Sequence, residues 1–137
     1  MYQLKKVSHQ EAFKMIKVIV KEAERINKDV AVAISGPEGE IIMFVRMDGA
    51  AGAAATIAQN KAYTCARDRK STREMREFMH GKNRPPAFWG DMGITGFGGG
   101  LPIIADNKVI GGIGVSGLSE EEDERLAKLG IDSLQGK

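Results

Sequence analysis

An α+β fold, with helices around a small antiparallel sheet, is the class that this sequence predicts. Apolar residues recur at helical spacing near the N-terminus, and two pairs of apolar runs are each joined by a short turn of the kind found in β-hairpins. Helix-like segments opened by Ser-x-x-Glu capping boxes separate and follow those pairs. The order along the chain is therefore helix, hairpin, helix, hairpin, helix.

Length and composition indicate one globular domain, which we assign to residues 1–137. The chain has 137 residues, 42% hydrophobic and 28% charged, which is typical of a soluble domain. A net charge of +2 is too small to predict a nucleic-acid or membrane partner. No apolar run is long enough to cross a bilayer. Cys65 is the only cysteine, so an internal disulfide is excluded and a cytoplasmic setting is expected.

The first helix is predicted from about His9 to Asn27. Ser8 and Glu11 form a capping box in which each side chain can satisfy the backbone N–H of the other residue. Apolar residues then follow at helical spacing: Ala12, Met15, Ile16, Ile19, Ala23 and Ile26. This pattern gives the helix one apolar face.

The first hairpin is predicted from "VAVAIS" at 30–35, the turn "GPEG", and "EIIMFVR" at 40–46. Both runs are apolar at nearly every position, which predicts strands that are covered on both faces of the sheet.

Two helices and an irregular segment are predicted next. Residues 47–69 begin as a turn and become a helix rich in alanine, which would let it approach a neighbour closely. Ser71 and Glu74 form a second capping box, which starts a short helix through about Met79. Residues 81–100 are rich in proline and glycine and include the only tryptophan, Trp89. Long irregular stretches of this kind are usually functional or mobile.

The second hairpin pairs residues 101–105 with 108–117 across Asp106-Asn107, which is a favourable two-residue turn. Ser119 and Glu122 then open a terminal helix through about Leu134.

The glycine pattern Gly112-x-Gly114-x-x-Gly117 matches a dinucleotide-binding fingerprint only in its letters. That site needs a second strand ending in an acidic residue about 20 residues later, and too little sequence follows. The helix after the glycines also begins with four acidic residues at 120–123, which would repel a pyrophosphate. We therefore expect no nucleotide cofactor.

The sequence allows two explanations for these strand glycines, which are close packing of a helix and binding of a ligand. Glycine inside a strand marks a bend or the close approach of a backbone or ligand. The alanine-rich helix is one candidate for that neighbour, and a flat ligand lying on a glycine floor is the other.

Single residues supply few candidates for chemistry. His9 and His80 are the only histidines and the only imidazole candidates for a haem iron. A surface imidazole at a helix end is the simpler interpretation of each. Cys65 has no histidine near it in sequence, so a buried, unreactive thiol is expected.

Basic residues concentrate between 61 and 84. They are Lys61, Arg67, Arg69, Lys70, Arg73, Arg76, Lys82 and Arg84. A solvated helix face accounts for them, and so does capture of a carboxylate such as a haem propionate. Nucleic acid is not expected as a partner, because few aromatic residues are available for stacking on bases.

Four runs together make the chain resemble the GlcG/HbpS family, which includes the C-terminal domain of PduO-type proteins. They are "VAVAIS…GEIIMFVRMDGA", "IAQNKAYTCA", "GGGLPIIADNKVIGGIGVSG" and "EEDERLAKLGIDSL". The resemblance covers nearly the whole chain in order. It implies a profilin-like fold with an antiparallel sheet of about five strands flanked by helices.

The resemblance also implies homo-oligomers and a small-molecule ligand, with haem or a related tetrapyrrole first and a corrinoid less favoured. For a haem ligand, His80 and His9 are the candidate iron ligands by residue type, since the segment that contains His80 matches no strong family pattern. A few similar proteins are lyases acting on hydroxylamino-aromatic acids, so a cofactor-free lyase is the alternative, and a scaffold subunit is a third. The expected ligand-binding residues lie in the shared motifs: Arg46, Asp48, Lys61, Thr64, Gly99, Pro102, Ser116 and Gly117.

Overall fold

The computed structural model describes residues 1–136, which form an α+β fold with one four-stranded sheet. The helices are α1 (His9–Arg25), α2 (Gly52–Asp68), α3 (Thr72–Gly81) and α4 (Glu120–Ser133). The strands are β1 (Ala31–Ser35), β2 (Ile41–Arg46), β3 (Gly100–Ala105) and β4 (Lys108–Ser116). The predicted class is confirmed, but the sheet has four strands rather than about five, because the two hairpins supply all the strands of the described residues.

The sheet is antiparallel throughout, with the strand order β2-β1-β4-β3. Ala31 in β1 lies opposite both Arg46 in β2 and Ser116 in β4. The central strand β1 is buried along its whole length, as its unbroken apolar sequence predicts. The same prediction is wrong for β2, which is only partly buried because it is an edge strand.

Helices cover both faces of the sheet, and each face has its own core. Helices α1 and α4 pack together on one face, where alternate β1 residues such as Val32 and Ile34 meet Met15, Ile19 and Leu126. Helix α2 covers the other face. The side chains there are small and come from both elements: Ala31, Ala33, Ala54, Ala58 and Ala62.

The strand glycines serve the packing of α2 on the sheet. A Cβ at Gly112 would overlap the carbonyl oxygen of Ala62, and a Cβ at Gly114 would overlap that of Ala58. The helix backbone therefore lies directly on β4, and no room is left for a flat ligand at these positions. Of the two neighbours that the sequence allows for these glycines, the alanine-rich helix is confirmed.

Helix starts follow the predicted caps. Ser8 and Ser71 each form both halves of a capping box. At the third site Ser119 accepts from the backbone N–H of Glu122, but the Glu122 carboxylate instead contacts Arg125, at 3.3 Å. Asn27 has a left-handed φ of +58°, which is why α1 ends before it.

The predicted turn of the second hairpin is also confirmed. Asp106 and Asn107 have φ values of +51° and +62°, the left-handed pair that a two-residue hairpin turn requires. No helix within residues 1–136 has both the length and the apolar character needed to span a bilayer.

Candidate functional site

Residues 82–99 run over the surface between α3 and β3, and α2 holds them in place. The Thr64 hydroxyl donates to the Gly93 carbonyl at 3.3 Å and accepts from the Thr95 backbone N–H at 3.0 Å. The hydroxyl of Tyr63 donates to the Asp91 carboxylate at 2.9 Å. Thr64, expected from the resemblance to bind a ligand, therefore also anchors this segment.

A pocket of about 330 Å³ lies at the C-terminal end of α3. We call it the His80 pocket, and its lining residues are Arg76, Met79, His80, Asn83, Arg84, Pro85 and Pro86. The His80 imidazole is exposed there, beside the nearly buried side chain of Met79. The open groove therefore combines an accessible imidazole with apolar surface from Met79, Pro85 and Pro86.

The His80 pocket has a positive lining. Arg76 contacts Glu120 at 3.0 Å through one guanidinium nitrogen only. The guanidinium of Arg84 stacks 5.7 Å from the ring centroid of Phe88 and donates once to the Lys82 carbonyl. Both cations keep further N–H donors, and none of the described residues that line this pocket is acidic. An anionic group such as a carboxylate is what such donors bind best.

The two histidines do not share a site. His9 is exposed in the first turn of α1, which lies on the face of the sheet opposite α2. His80 lies at the end of α3, beside the segment that α2 anchors. Within residues 1–136, no group of three or more His, Cys, Asp or Glu side chains is arranged to hold a metal ion.

A second pocket lies next to a buried ion pair at the end of β4. The Lys61 ammonium in α2 donates to the Val115 carbonyl at 2.7 Å and contacts Asp123 in α4 at 3.1 Å. The side chains of Lys61 and Asp123 are only 2% and 3% exposed. We call the adjoining space, of about 330 Å³, the Lys61 pocket; its lining residues are Ile57, Lys61, Phe97, Ser116, Leu118, Ser119, Glu120 and Asp123.

Burial and attraction act in opposite directions on this pair. Burial lowers the pKa of Lys61 and raises the pKa of Asp123, while the attraction between the two groups opposes both shifts. Asp123 also accepts from the Leu118 backbone N–H at 3.0 Å. The charged pair is therefore hydrogen-bonded on both sides, as a buried ion pair must be.

Gly99 closes over the ammonium of Lys61. Its φ is +119°, and a Cβ there would lie 2.7 Å from Lys61 Nζ and 2.8 Å from the Val115 carbonyl oxygen. Only glycine allows the main chain to pass this close. Gly117 follows β4 with a φ of +139°. Gly99, Lys61, Ser116 and Gly117 thus come together at one end of the sheet.

Arg46 and Asp48 lie near the same end of the sheet but line a different pocket. They line a polar pocket of about 520 Å³ between the end of α1 and the end of β2. The Arg46 guanidinium donates twice to the Ala50 carbonyl, at 3.1 and 2.9 Å, rather than to Asp48. Pro102 lies in β3 opposite Gly112. The eight expected residues are therefore spread over separate regions.

Sequence reasoning missed Asp123 and Phe97. In the sequence Asp123 is one member of an acidic first turn, and its ion pair with Lys61 joins residues far apart in the chain. One local signal existed, since Lys61 is the only lysine in α2 and lies one helical turn from Ala58 and Cys65. Such a lysine needs a buried acidic partner.

Cys65 lies inside the fold, where a thiol is poorly placed for nucleophilic chemistry. Its thiol is fully buried, and burial raises the pKa of the Cys65 thiol far above its usual range. The expected burial of this thiol is confirmed.

The fold and its pockets define a small α+β domain with a basic surface groove and a buried ion pair. Residues 7–132 match the family described as haem degrading protein HbpS-like, and the chain belongs to that family. This confirms the resemblance carried by the four sequence runs.

Three relatives illustrate the similarity. The chain is 35% identical to protein GlcG of Escherichia coli over 110 residues, covering 80% of this chain and 81% of GlcG. The crystal structure of Klebsiella pneumoniae ORFY superposes with a TM-score of 0.92 at 29% identity, covering 100% of this chain and 96% of ORFY. A crystal structure of PduOC in complex with heme superposes with a TM-score of 0.85 at 26% identity, covering 93% of this chain and 94% of PduOC.

Proposed function

We propose that this protein binds haem or a related tetrapyrrole, and that the His80 pocket is the site. The observation that carries the proposal is the exposed His80 imidazole in a groove lined by Arg76, Arg84 and apolar side chains. Membership of the HbpS-like family and the similarity to PduOC, which has been crystallised with heme, support the same ligand.

The side-chain types that line this pocket match the three chemical parts of haem, which are the iron, the propionates and the apolar macrocycle. A histidine imidazole is an established axial ligand of haem iron, and His80 supplies an imidazole at the surface. Guanidinium groups pair well with carboxylates, so Arg76 and Arg84 would hold the propionates. Met79, Pro85 and Pro86 supply apolar surface for the macrocycle. Bound haem would contribute its own redox and ligand-binding chemistry, and the chain would supply attachment and orientation.

An absorbance titration with haemin tests this proposal. We expect a saturable Soret shift with the native chain and with His9→Ala. We expect the shift to be lost or altered in His80→Ala, since that variant removes the iron ligand at an exposed position. Arg84→Gln should weaken binding without changing the shape of the bound spectrum, because it removes a propionate contact and leaves the iron ligand in place.

Two results would contradict the proposal. One is the absence of any saturable Soret shift. The other is a native-like shift in His80→Ala together with its loss in His9→Ala, which would move the site to α1.

A cofactor-free lyase acting on a small aromatic acid is the second candidate function. The same groove favours it, because Arg76 and Arg84 would bind the carboxylate and His80 would transfer protons. A hydroxylaminobenzoate incubated with native protein distinguishes the two functions. Turnover that needs His80, in a chain that gives no Soret shift, would replace the haem proposal.

We also propose that the chain forms a homo-oligomer. Large apolar side chains are exposed on the segment between α3 and β3, with Phe88 66% and Met92 101% exposed. Exposed apolar surface of this kind marks interaction sites. Sedimentation velocity should therefore show a species larger than a monomer, and a Phe88→Glu, Met92→Glu double variant should shift it towards the monomer. A native chain that sediments as a monomer would refute this part.

A further inference from the structure

We propose that the Lys61 pocket is a second small-molecule site, which binds an uncharged single-ring compound carrying a hydroxyl or amide group. This site is separate from the His80 pocket, although the Arg76–Glu120 ion pair connects one lining residue of each pocket.

The walls and size of the Lys61 pocket suit a single ring. Ile57, Phe97 and Leu118 supply apolar surface, and the Phe97 ring is 52% exposed at the edge of the space. The volume of about 330 Å³ lies at the lower end of the range for ligand pockets, roughly 300–1,000 Å³. An exposed phenylalanine at such an edge gains from stacking on an aromatic ligand.

The charges of the pocket balance, and this determines the charge of the ligand. Lys61 is paired with Asp123, and Glu120 is paired with Arg76 at 3.0 Å. Lys61 is therefore no free receptor for a carboxylate. A charged ligand would leave water and find no unpaired counter-ion, which is costly, whereas an uncharged ligand avoids that cost.

Polar groups of the pocket remain able to hydrogen-bond with such a ligand. Two serine hydroxyls supply these hydrogen bonds, because the buried Lys61 ammonium is already bonded to Val115 and Asp123. The Ser119 hydroxyl accepts from the Glu122 backbone at 3.2 Å and keeps its own O–H to donate. Ser116 lines the same space from the end of β4. A ligand hydroxyl or amide would find donors and acceptors here.

The test measures ligand binding by NMR, with phenol, benzamide and benzoate as probes of similar ring size, on the full chain at neutral pH. We expect phenol and benzamide to bind saturably and benzoate to bind about tenfold more weakly or not at all. Equal or stronger binding of benzoate would overturn the proposal, and so would a lack of saturable binding by both uncharged probes.

Matched variants locate the binding. Phe97→Ala and Ser116→Ala should each weaken phenol binding severalfold, while Phe88→Ala, at another exposed phenylalanine of the same segment, should not. Circular dichroism of each variant checks that it is folded. If Phe97→Ala and Phe88→Ala behave alike, the ring binds elsewhere and the assignment is wrong. His80→Ala should leave phenol binding unchanged, so failure here and failure of the haem proposal are distinguishable.

Discussion

The ammonium of Lys61 in α2 lies 3.1 Å from the carboxylate of Asp123 in α4, although the two residues are 62 positions apart in the chain. Both side chains are almost completely buried. Together with the Val115 carbonyl they join α2, β4 and α4 at one point. This relationship links the two helical layers through the end of the sheet.

Lys61→Met should therefore lower the free energy of unfolding by about 3–5 kcal/mol, because it leaves a buried carboxylate without its partner. The loss should shrink on mild acidification. Burial already raises the pKa of Asp123, and removing the Lys61 ammonium raises that pKa further. Protonation of Asp123 therefore stabilises the folded variant at low pH, and this stabilisation is lost as the pH rises. Urea denaturation at neutral and mildly acidic pH measures both effects.

The double variant Lys61→Met, Asp123→Asn is the matched control. It removes both charges, and the Asn oxygen can still accept from the Leu118 backbone N–H. It should be clearly more stable than Lys61→Met alone at neutral pH. If the single and double variants unfold at the same urea concentration, the ion pair does not account for the cost.

Gly114→Ala should destabilise the fold by about 1–3 kcal/mol or more, because overpacking forces backbone shifts. The new Cβ would overlap the Ala58 carbonyl oxygen on α2, which is backbone and cannot rotate away. Thermal unfolding followed by circular dichroism measures the loss. Gly81→Ala is the control, since a Cβ there meets nothing within 4 Å, and its unfolding temperature should be unchanged or slightly higher.

Glu22 should make stability depend on acidity. Arg25 and Arg125 contact its carboxylate at 2.6 and 3.2 Å, and they lower the pKa of Glu22 from 4.5 to about 2. Because the pKa of Glu22 is lower in the folded chain than in the unfolded chain, ionised Glu22 stabilises the fold at pH values above about 4.5. That stabilisation is lost as the pH falls from about 4.5 towards 2. Glu22→Gln should therefore flatten the acid limb of a plot of urea midpoint against pH.

Glu121→Gln removes an exposed carboxylate from α4 and serves as the control for that experiment. Its acid limb should follow the native protein. An unchanged acid limb in Glu22→Gln would show that the bridge from α1 to α4 through Arg125 adds nothing to pH dependence.

Cys65 should not react with a chromogenic aromatic disulfide in the native protein. The thiol is completely buried, and burial raises the pKa of the Cys65 thiol, so almost no thiolate forms. Reaction should begin only as urea unfolds the chain, at the same midpoint as the loss of circular dichroism. Fast labelling without denaturant would contradict the buried position.

Local signals allowed much of the secondary structure to be predicted. The reciprocal contacts of Ser8 with Glu11 and of Ser71 with Glu74 involve residues three apart, so the sequence shows them directly. The Asp106-Asn107 turn is equally local. The edge position of β2 was not predictable in this way. An apolar strand has the same sequence pattern whether it pairs with one strand or with two, and β2 pairs with β1 only.

The candidate sites depend much more on contacts between distant parts of the chain. His80 was identified from its residue type, but its placement beside Arg84 and the prolines follows from how residues 82–99 are anchored to α2. The hydroxyl of Thr64 hydrogen-bonds to Gly93 and Thr95 of that segment, contacts across about 30 positions of the chain that no local pattern indicates. Phe97 had no local signal, since one aromatic residue among glycines does not indicate which pocket it borders.

The amino-acid sequence alone determined the α+β class, the starts of the helices, the two hairpins and the family, because these depend on neighbouring residues or on motifs in fixed order. Tertiary structure decided that the strand glycines receive α2 rather than a ligand, that Lys61 is neutralised by Asp123, and that two pockets differ in charge. The physical reason is that backbone overlap, burial and ion pairing arise only when α2, β4 and α4 are brought together in space.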